Sequence, residues 1–323
     1  MLQTSSATYY ELASNKVLPT AGSYVFEGRE AGKDARHSRG KRRSPPGLSE
    51  IKNNQYIEFS FMLTFGLDFA KIIIMSDIIN KFKNATVFLM ANSETVSLKK
   101  AVDIINSTCS PNDIARIIVF LKSETCPSYT FMQSIQHYEE YRNIDLIVQK
   151  AENIKEAFCE MPPFAVGSHF IIMGSDLEMD PYCVSRLIEE AKENPDMIIC
   201  ASKWDKLSSV SGYGFFHRIA TQGLNKALRL IVGKKCTDIV SHFEIFPLET
   251  FNNLNIAKNK YFIFEYCLKP LISGAKYKEI PVSYIRRKEG KSNFNVIHLS
   301  IAAFEYIFIA LKLKTEKLLD NLK

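Results

Sequence analysis

The sequence predicts an α/β protein built on a mostly parallel central sheet flanked by helices. Two features carry that expectation. Short apolar runs recur at 85–90, 114–121, 144–149 and 170–173, and stretches with helical spacing fall between them at 97–107 and 129–141. Strands that are apolar on both faces and alternate with helices of roughly ten residues need cover on both sides, which a parallel sheet with crossover helices supplies. In such sheets ligands bind beyond the carboxyl ends of the strands. Chemistry is therefore sought just after each apolar run.

The chain has 323 residues, 46% of them apolar and 24% charged, with a net charge of +6. That length suits one large domain or two small ones, and the apolar fraction excludes a wholly disordered chain. Seven cysteines stand singly at 109, 126, 159, 183, 200, 236 and 267, with no C-x-x-C pair. This pattern points to a reduced, cytoplasmic protein rather than a disulfide scaffold or a zinc module.

Residues 1–55 are rich in Gly, Ser, Arg and Pro and read as a disordered basic tail. Within it Arg29, Lys33, Arg36, Arg39, Lys41, Arg42 and Arg43 face only Glu30 and Asp34. Such a tract can attract nucleic acid or anionic lipid. No aromatic interleaving or nucleic-acid motif accompanies it, so a solvated tail is the preferred reading and no nucleic-acid partner is expected. Translation from Met62 or Met75 would remove the tail altogether. An amphipathic segment follows at 56–83. Ile57–Met75 is broken by Glu58, Asp68 and Lys71, and Val296–Leu313 carries His298, Glu305 and Lys312. Neither is the nearly uncharged run of about 20 residues that a spanning helix needs, and the N-terminus lacks signal-peptide order.

The most informative strand end is His169–Pro181. An apolar strand runs into Gly174 and Ser175, then presents Asp176 and Glu178 before a helix for which Asp180 is a natural N-cap and Pro181 a natural first residue. Two carboxylates so spaced can converge on one hard cation, Mg2+ or Mn2+, completed by water and diphosphate. Turn and capping chemistry would use the same residues. Near the C-terminus a strand-like stretch, 278–284, leads into Arg286, Arg287, Lys288 and Lys291. This is either a solvated loop or a cationic clamp for phosphate. Glu289-Gly290-Lys291-Ser292 ends like a P-loop but lacks its first glycine, and Ile285 stands there.

Taken in order, these segments resemble the family-2 glycosyltransferases, in particular the branch around dolichol-phosphate mannosyltransferase. Met90-Ala91-Asn92-Ser93-Glu94 stands where the family has Pro-Ala-Tyr-Asn-Glu. Gly174-Ser175-Asp176-Leu177-Glu178 stands where it has Asp-Ala-Asp-Leu-Gln. Ile199–Lys203 is similar to Val-x-Gly-Ser-Arg, and Asp238–Phe246 to Asp-x-x-Ser-Gly-Phe-Arg-Leu-Phe. Arg287–Ser292 fits Arg-x-x-Gly-Lys-Ser. The likeness spans about residues 84–295, leaving 296–323 as a C-terminal amphipathic helix.

The resemblance implies a GT-A fold, a nucleotide-sugar donor, a divalent metal, and sugar transfer with inversion, in cell-envelope or polysaccharide synthesis. It implies metal ligation by Asp176 helped by Glu178, and a nucleoside beside Glu94. Arg218, Arg287 and Ser292 would contact phosphates. The family's Asp-Asp after the second strand is replaced by Leu121-Lys122, so Lys122 is expected to take over part of the metal's charge at the diphosphate. Two further departures are Gly174 and Glu244, which replace a family aspartate and a family arginine. Asp238, Glu244 and Glu265 are the candidate general bases, with Asp238 preferred because the family has aspartate there. The acceptor is open. The apolar residues of 296–313, followed by Lys312, Lys314 and Lys317, fit core packing or a membrane-surface helix suited to a lipid-linked acceptor. A non-catalytic binding protein of this fold and a nucleotidyltransferase are the competing classes. The latter wants a glycine-rich loop after the first strand, where Met90–Glu94 stands.

Overall fold

The computed structural model describes residues 82–289 and 296–322. The expected basic tail, nearly all of the 56–83 segment, and Ser292 lie outside the described residues. In chain order the elements are β1 (Ala85–Ala91), α1 (Val96–Thr108), β2 (Ile114–Leu121), α2 (Pro127–Ile135), β3 (Ile144–Val148), α3 (Ile154–Glu160), β4 (His169–Gly174), α4 (Cys183–Glu193) and β5 (Ile198–Ser202). Then come β6 (Val210–Ser211), α5 (Phe215–Val232), β7 (Glu244–Pro247), α6 (Leu248–Asn253), α7 (Phe262–Ser273), β8 (Tyr277–Pro281), β9 (Tyr284–Ile285) and α8 (Val296–Asp320).

The apolar runs become strands because each is covered on both faces. Seven strands form one sheet in the order β3-β2-β1-β4-β7-β5-β8. All neighbours are parallel except β7, which runs antiparallel to both β4 and β5. The pleat sends Val87 and Leu89 into one layer, with Leu98 and Ile105 of α1 and Leu187 of α4. It sends Phe88 into the other, with Leu228 of α5, Leu268 of α7 and Ile309 of α8. Full burial of a side chain such as Phe88 contributes about 1.5–3 kcal/mol. Gly233 and Gly274 end α5 and α7 with φ of 76° and 94°, a left-handed cap that a β-carbon would strain.

Two boundaries differ from expectation. The helix expected over 129–141 stops at Ile135, because the Gln136 amide donates to Ile144 O (2.8 Å) and Tyr141 donates to Asp103 Oδ1 (2.7 Å). The helix expected from Pro181 begins at Cys183. Asp180 is held instead by its N–H on Ser283 O (3.2 Å), and its Oδ1 accepts the Tyr182 N–H (3.1 Å). All seven cysteines are unpaired thiols. Among the described residues no helix is long and apolar enough to cross a membrane.

Candidate active site

The parallel strands β1 and β4 end side by side, and the turn after β4 is strapped to the end of β1. Ser175 donates to Met90 O through both its N–H (3.1 Å) and its hydroxyl (2.8 Å). Gly174 leaves room for the acidic turn, since a β-carbon there would stand 3.2 Å from Asp176 Oδ1. Leu177 then adopts φ 59°, an uncommon conformation for a branched side chain, and the turn presents Asp176 and Glu178 together. Asp176 Oδ1 accepts the Glu178 N–H at 3.1 Å. Burial, then the adjacent Glu178, push the Asp176 carboxyl above its ordinary range, with Glu94 adding to the effect and Arg287 opposing it.

The C-terminal loop is delivered onto these carboxylates by backbone pairing. Met179 bridges to Tyr284, and the Ile285 N–H donates to Glu178 O (2.9 Å). Arg287 then forks onto Glu178, with Nε on Oε1 at 2.8 Å and Nη2 on Oε2 at 3.0 Å, while Nη2 lies 3.1 Å from Asp176 Oδ2. Two residues on, Glu289 caps α1. Its carboxylate accepts from the N–H groups of Thr95, Val96 and Ser97 and from the hydroxyls of Thr95 and Ser97, with Ser97 N at 2.7 Å. Burial alone would raise the Glu289 carboxyl, but these hydrogen bonds outweigh it and bring it down to about 2.

Glu94, expected beside a nucleoside, is 8% exposed, and its Oε2 accepts the N–H groups of Asn92 (2.8 Å) and Ser93 (3.0 Å). It shapes the turn after β1. Lys122 is exposed in the turn after β2. Arg218, in the first turn of α5, lies over the Trp204 ring, 5.7 Å from its centroid. Trp204 meets Tyr213 edge-on (5.3 Å), and Tyr213 meets Tyr284 (4.9 Å). An aromatic chain therefore runs from Arg218 to the strand that leads to Arg287. The pairing of β6 with β9 needs Gly212, whose φ is 73° and where a β-carbon would sit 2.7 Å from Arg286 Cβ.

Asp238 occupies a different setting from the one expected of a general base. It is 0% exposed, and its Oδ2 takes the Lys203 ammonium at 2.9 Å, while Oδ1 is buried with no partner. Its backbone is fixed as well: Glu279 accepts the N–H groups of Thr237 and Asp238, and Asn225 Oδ1 accepts that of Ile239. Burial would lower the Lys203 ammonium, but Asp238 outweighs it and keeps it charged. His242 beside them is pushed down to about 4, by burial and then by the Lys203 charge. The other base candidates are sealed too. Glu244 sits inside the sheet with its carboxyl pushed up to about 8 by burial, and Glu265 caps Ala257 N–H (3.0 Å) and pairs with Lys269.

Sequence reasoning missed Glu289, Lys203 and Trp204 as site elements. Trp204 had one available signal, as the only tryptophan in the chain. Glu289 had none, because its partners are 192 residues or more away. Among the described residues no group of three or more His, Cys, Asp or Glu side chains lies together as a metal cage. The Asp176–Glu178 pair nonetheless fits a hard divalent cation that completes its coordination from substrate and water. Both side chains offer oxygen donors, and the guanidinium of Arg287 already stands between them as a cation.

No protein-family model matches the chain. Among solved structures it is similar to glucosyl-3-phosphoglycerate synthase from Mycobacterium tuberculosis in complex with Mg2+ and uridine-diphosphate, with a TM-score of 0.55 and 12% identity over 75% of this chain and 83% of that one. The same enzyme in complex with Mn2+, uridine-diphosphate and glucosyl-3-phosphoglycerate gives a TM-score of 0.53 at 14% identity, over 75% and 84%. With Mn2+, uridine-diphosphate-glucose and phosphoglyceric acid bound, it gives 0.53 at 13%, over 75% and 84%. Likeness at such identity establishes architecture, and the architecture is the GT-A fold.

Proposed function

We propose that this chain transfers a sugar, in the manner of a family-2 hexosyltransferase, from a nucleoside-diphosphate donor to an acceptor, with inversion and with a divalent cation at Asp176 and Glu178. The observation that carries the reading is the convergence of Asp176, Glu178 and Arg287 at the ends of β1 and β4, where this fold class receives ligands. The named structural neighbours bind uridine-diphosphate with Mn2+ or Mg2+, which supports the same class of donor and metal here.

A bound divalent cation offsets charge developing on the diphosphate leaving group. Asp176 and Glu178 would hold that cation at the strand ends, and the strap from Ser175 to Met90 fixes their position. Arg287, paired with Glu178 and Asp176, would turn its bidentate donors to phosphate oxygens once a cation takes over those carboxylates. The sealed state of Asp238, Glu244 and Glu265 supports an acceptor that arrives already anionic, such as a phosphate, since it needs no base to remove a proton.

A membrane-facing acceptor is supported by α8. Ile301, Phe304, Phe308, Leu311 and Leu318 recur at spacings of three, four and seven on its exposed side, with Phe304 76% and Phe308 64% exposed. Lys312 and Lys314 flank that stripe. Lys312 pairs with Glu316 at 3.8 Å, and an apolar helix face with basic groups beside it suits an anionic bilayer. Flotation with phosphatidylglycerol vesicles should carry the protein up, and Phe304→Asp with Phe308→Asp should leave it at the bottom. Wild-type protein that stays at the bottom ends the membrane reading.

The transferase reading is tested by thermal shift with nucleoside diphosphates and nucleotide-sugars, with and without Mn2+. A ligand at 100 times its Kd adds about 2.7 kcal/mol of stability. A metal-dependent shift with one nucleotide is the expected result. Folded protein that shifts with none would instead indicate a non-catalytic binding protein.

A further inference from the structure

Every oxygen of the acidic pair is already engaged. Arg287 uses both oxygens of Glu178 and one of Asp176, and the remaining Asp176 oxygen accepts the Glu178 N–H. The guanidinium is also pinned from both sides along the chain. Ile285 is hydrogen-bonded to Glu178 O, and Glu289 is anchored on the first turn of α1 by the N–H groups of Thr95, Val96 and Ser97. Arg287 is thus held in place before any ligand arrives, so little side-chain freedom is lost in keeping it there.

We infer that Arg287 is a built-in counter-cation that makes divalent-metal binding at Asp176 and Glu178 conditional on a nucleoside diphosphate. The inference rests on the transferase reading above. A metal ion arriving alone must displace the guanidinium from two partly buried carboxylates and leave it unpaired, which is costly. A nucleoside diphosphate changes the exchange, because its phosphate oxygens offer Arg287 a new bidentate partner as the metal takes over the carboxylates. Metal and nucleotide then raise each other's affinity by the same factor. Glu289 acts through Arg287, as a positioning residue that keeps the guanidinium on the carboxylates.

The experiment measures Mn2+ binding to the full chain by the loss of the free-ion electron paramagnetic resonance signal, without nucleotide and with uridine-diphosphate as probe. Wild-type protein should bind Mn2+ weakly alone, and Arg287→Gln on the order of tenfold more tightly. Glu289→Gln, which frees the loop but keeps the guanidinium, should move affinity the same way by a smaller factor. Adding Asp176→Asn to Arg287→Gln should erase the gain, placing it at this pair. If wild type and Arg287→Gln bind Mn2+ alone with equal affinity, the metal site stands and the counter-cation role is overturned. If neither binds Mn2+ with or without uridine-diphosphate while both remain folded, the metal site falls and the inference with it.

Discussion

Two charge clusters sit near strand ends of the same sheet, and they differ in what surrounds them. The Asp176–Glu178–Arg287 cluster is partly open, with side chains 16–25% exposed. Its cation comes from a loop more than a hundred residues away. The Lys203–Asp238 pair is closed: Asp238 is fully buried, Lys203 nearly so, and Glu279, Asn225 and His242 pack around it. The open cluster can exchange partners when a ligand offers Arg287 a new one. The closed one cannot, because removing either member strands a charge in low dielectric. Similar chemistry is therefore exchangeable in one place and structural in the other.

The largest expected effect separates the two on stability. Asp238→Ala should cost about 3–5 kcal/mol in denaturant unfolding, since Lys203 would be left buried and unpaired. Asp176→Asn should cost little stability. A small loss at Asp238 would make the closed cluster exchangeable as well and break the contrast.

On transfer activity the order reverses. Asp176→Asn should lower turnover on the order of a hundredfold or more, equivalent to about 2.7 kcal/mol of transition-state stabilisation. Full activity in that variant would remove the metal assignment.

A pH series sharpens the comparison from inside the core. Glu244 has its carboxyl pushed from an ordinary 4.5 up to about 8 by burial. The unfolded chain ionises first as pH rises, so the favourable contribution of the neutral carboxyl is complete below about 4.5 and is lost progressively up to about 8. Glu244→Gln should flatten that part of the Tm-against-pH curve and raise stability most at pH 8 and above. An unchanged slope would mean that Glu244 ionises without penalty.

The smallest effect belongs to the cap. Glu289→Ala should destabilise by about 1 kcal/mol through loss of the α1 N-terminal hydrogen bonds. The Glu289 carboxyl is held down at about 2, so the cap contributes fully above about 4.5 and fades as pH falls toward 2. A variant with wild-type stability from pH 7 to pH 3 would show that the cap contributes nothing to folding.

The sequence alone determined the layered α/β architecture. Each apolar run is long enough for one strand and is bounded by polar turns, so the elements β1, β2, β3 and β4 follow from local pattern. It also determined the acidic turn, because Asp176 and Glu178 directly follow such a run. Tertiary structure decided the rest, since the deciding partners are far apart in sequence. That β7 inserts antiparallel between β4 and β5 depends on long-range pairing, and the sealing of Asp238 depends on Lys203 and Glu279 from other elements. Arg287 was legible as a cation in a basic loop. Its place on Glu178, with Glu289 locked to α1, follows from strand pairing across more than a hundred residues, and no local pattern encodes that.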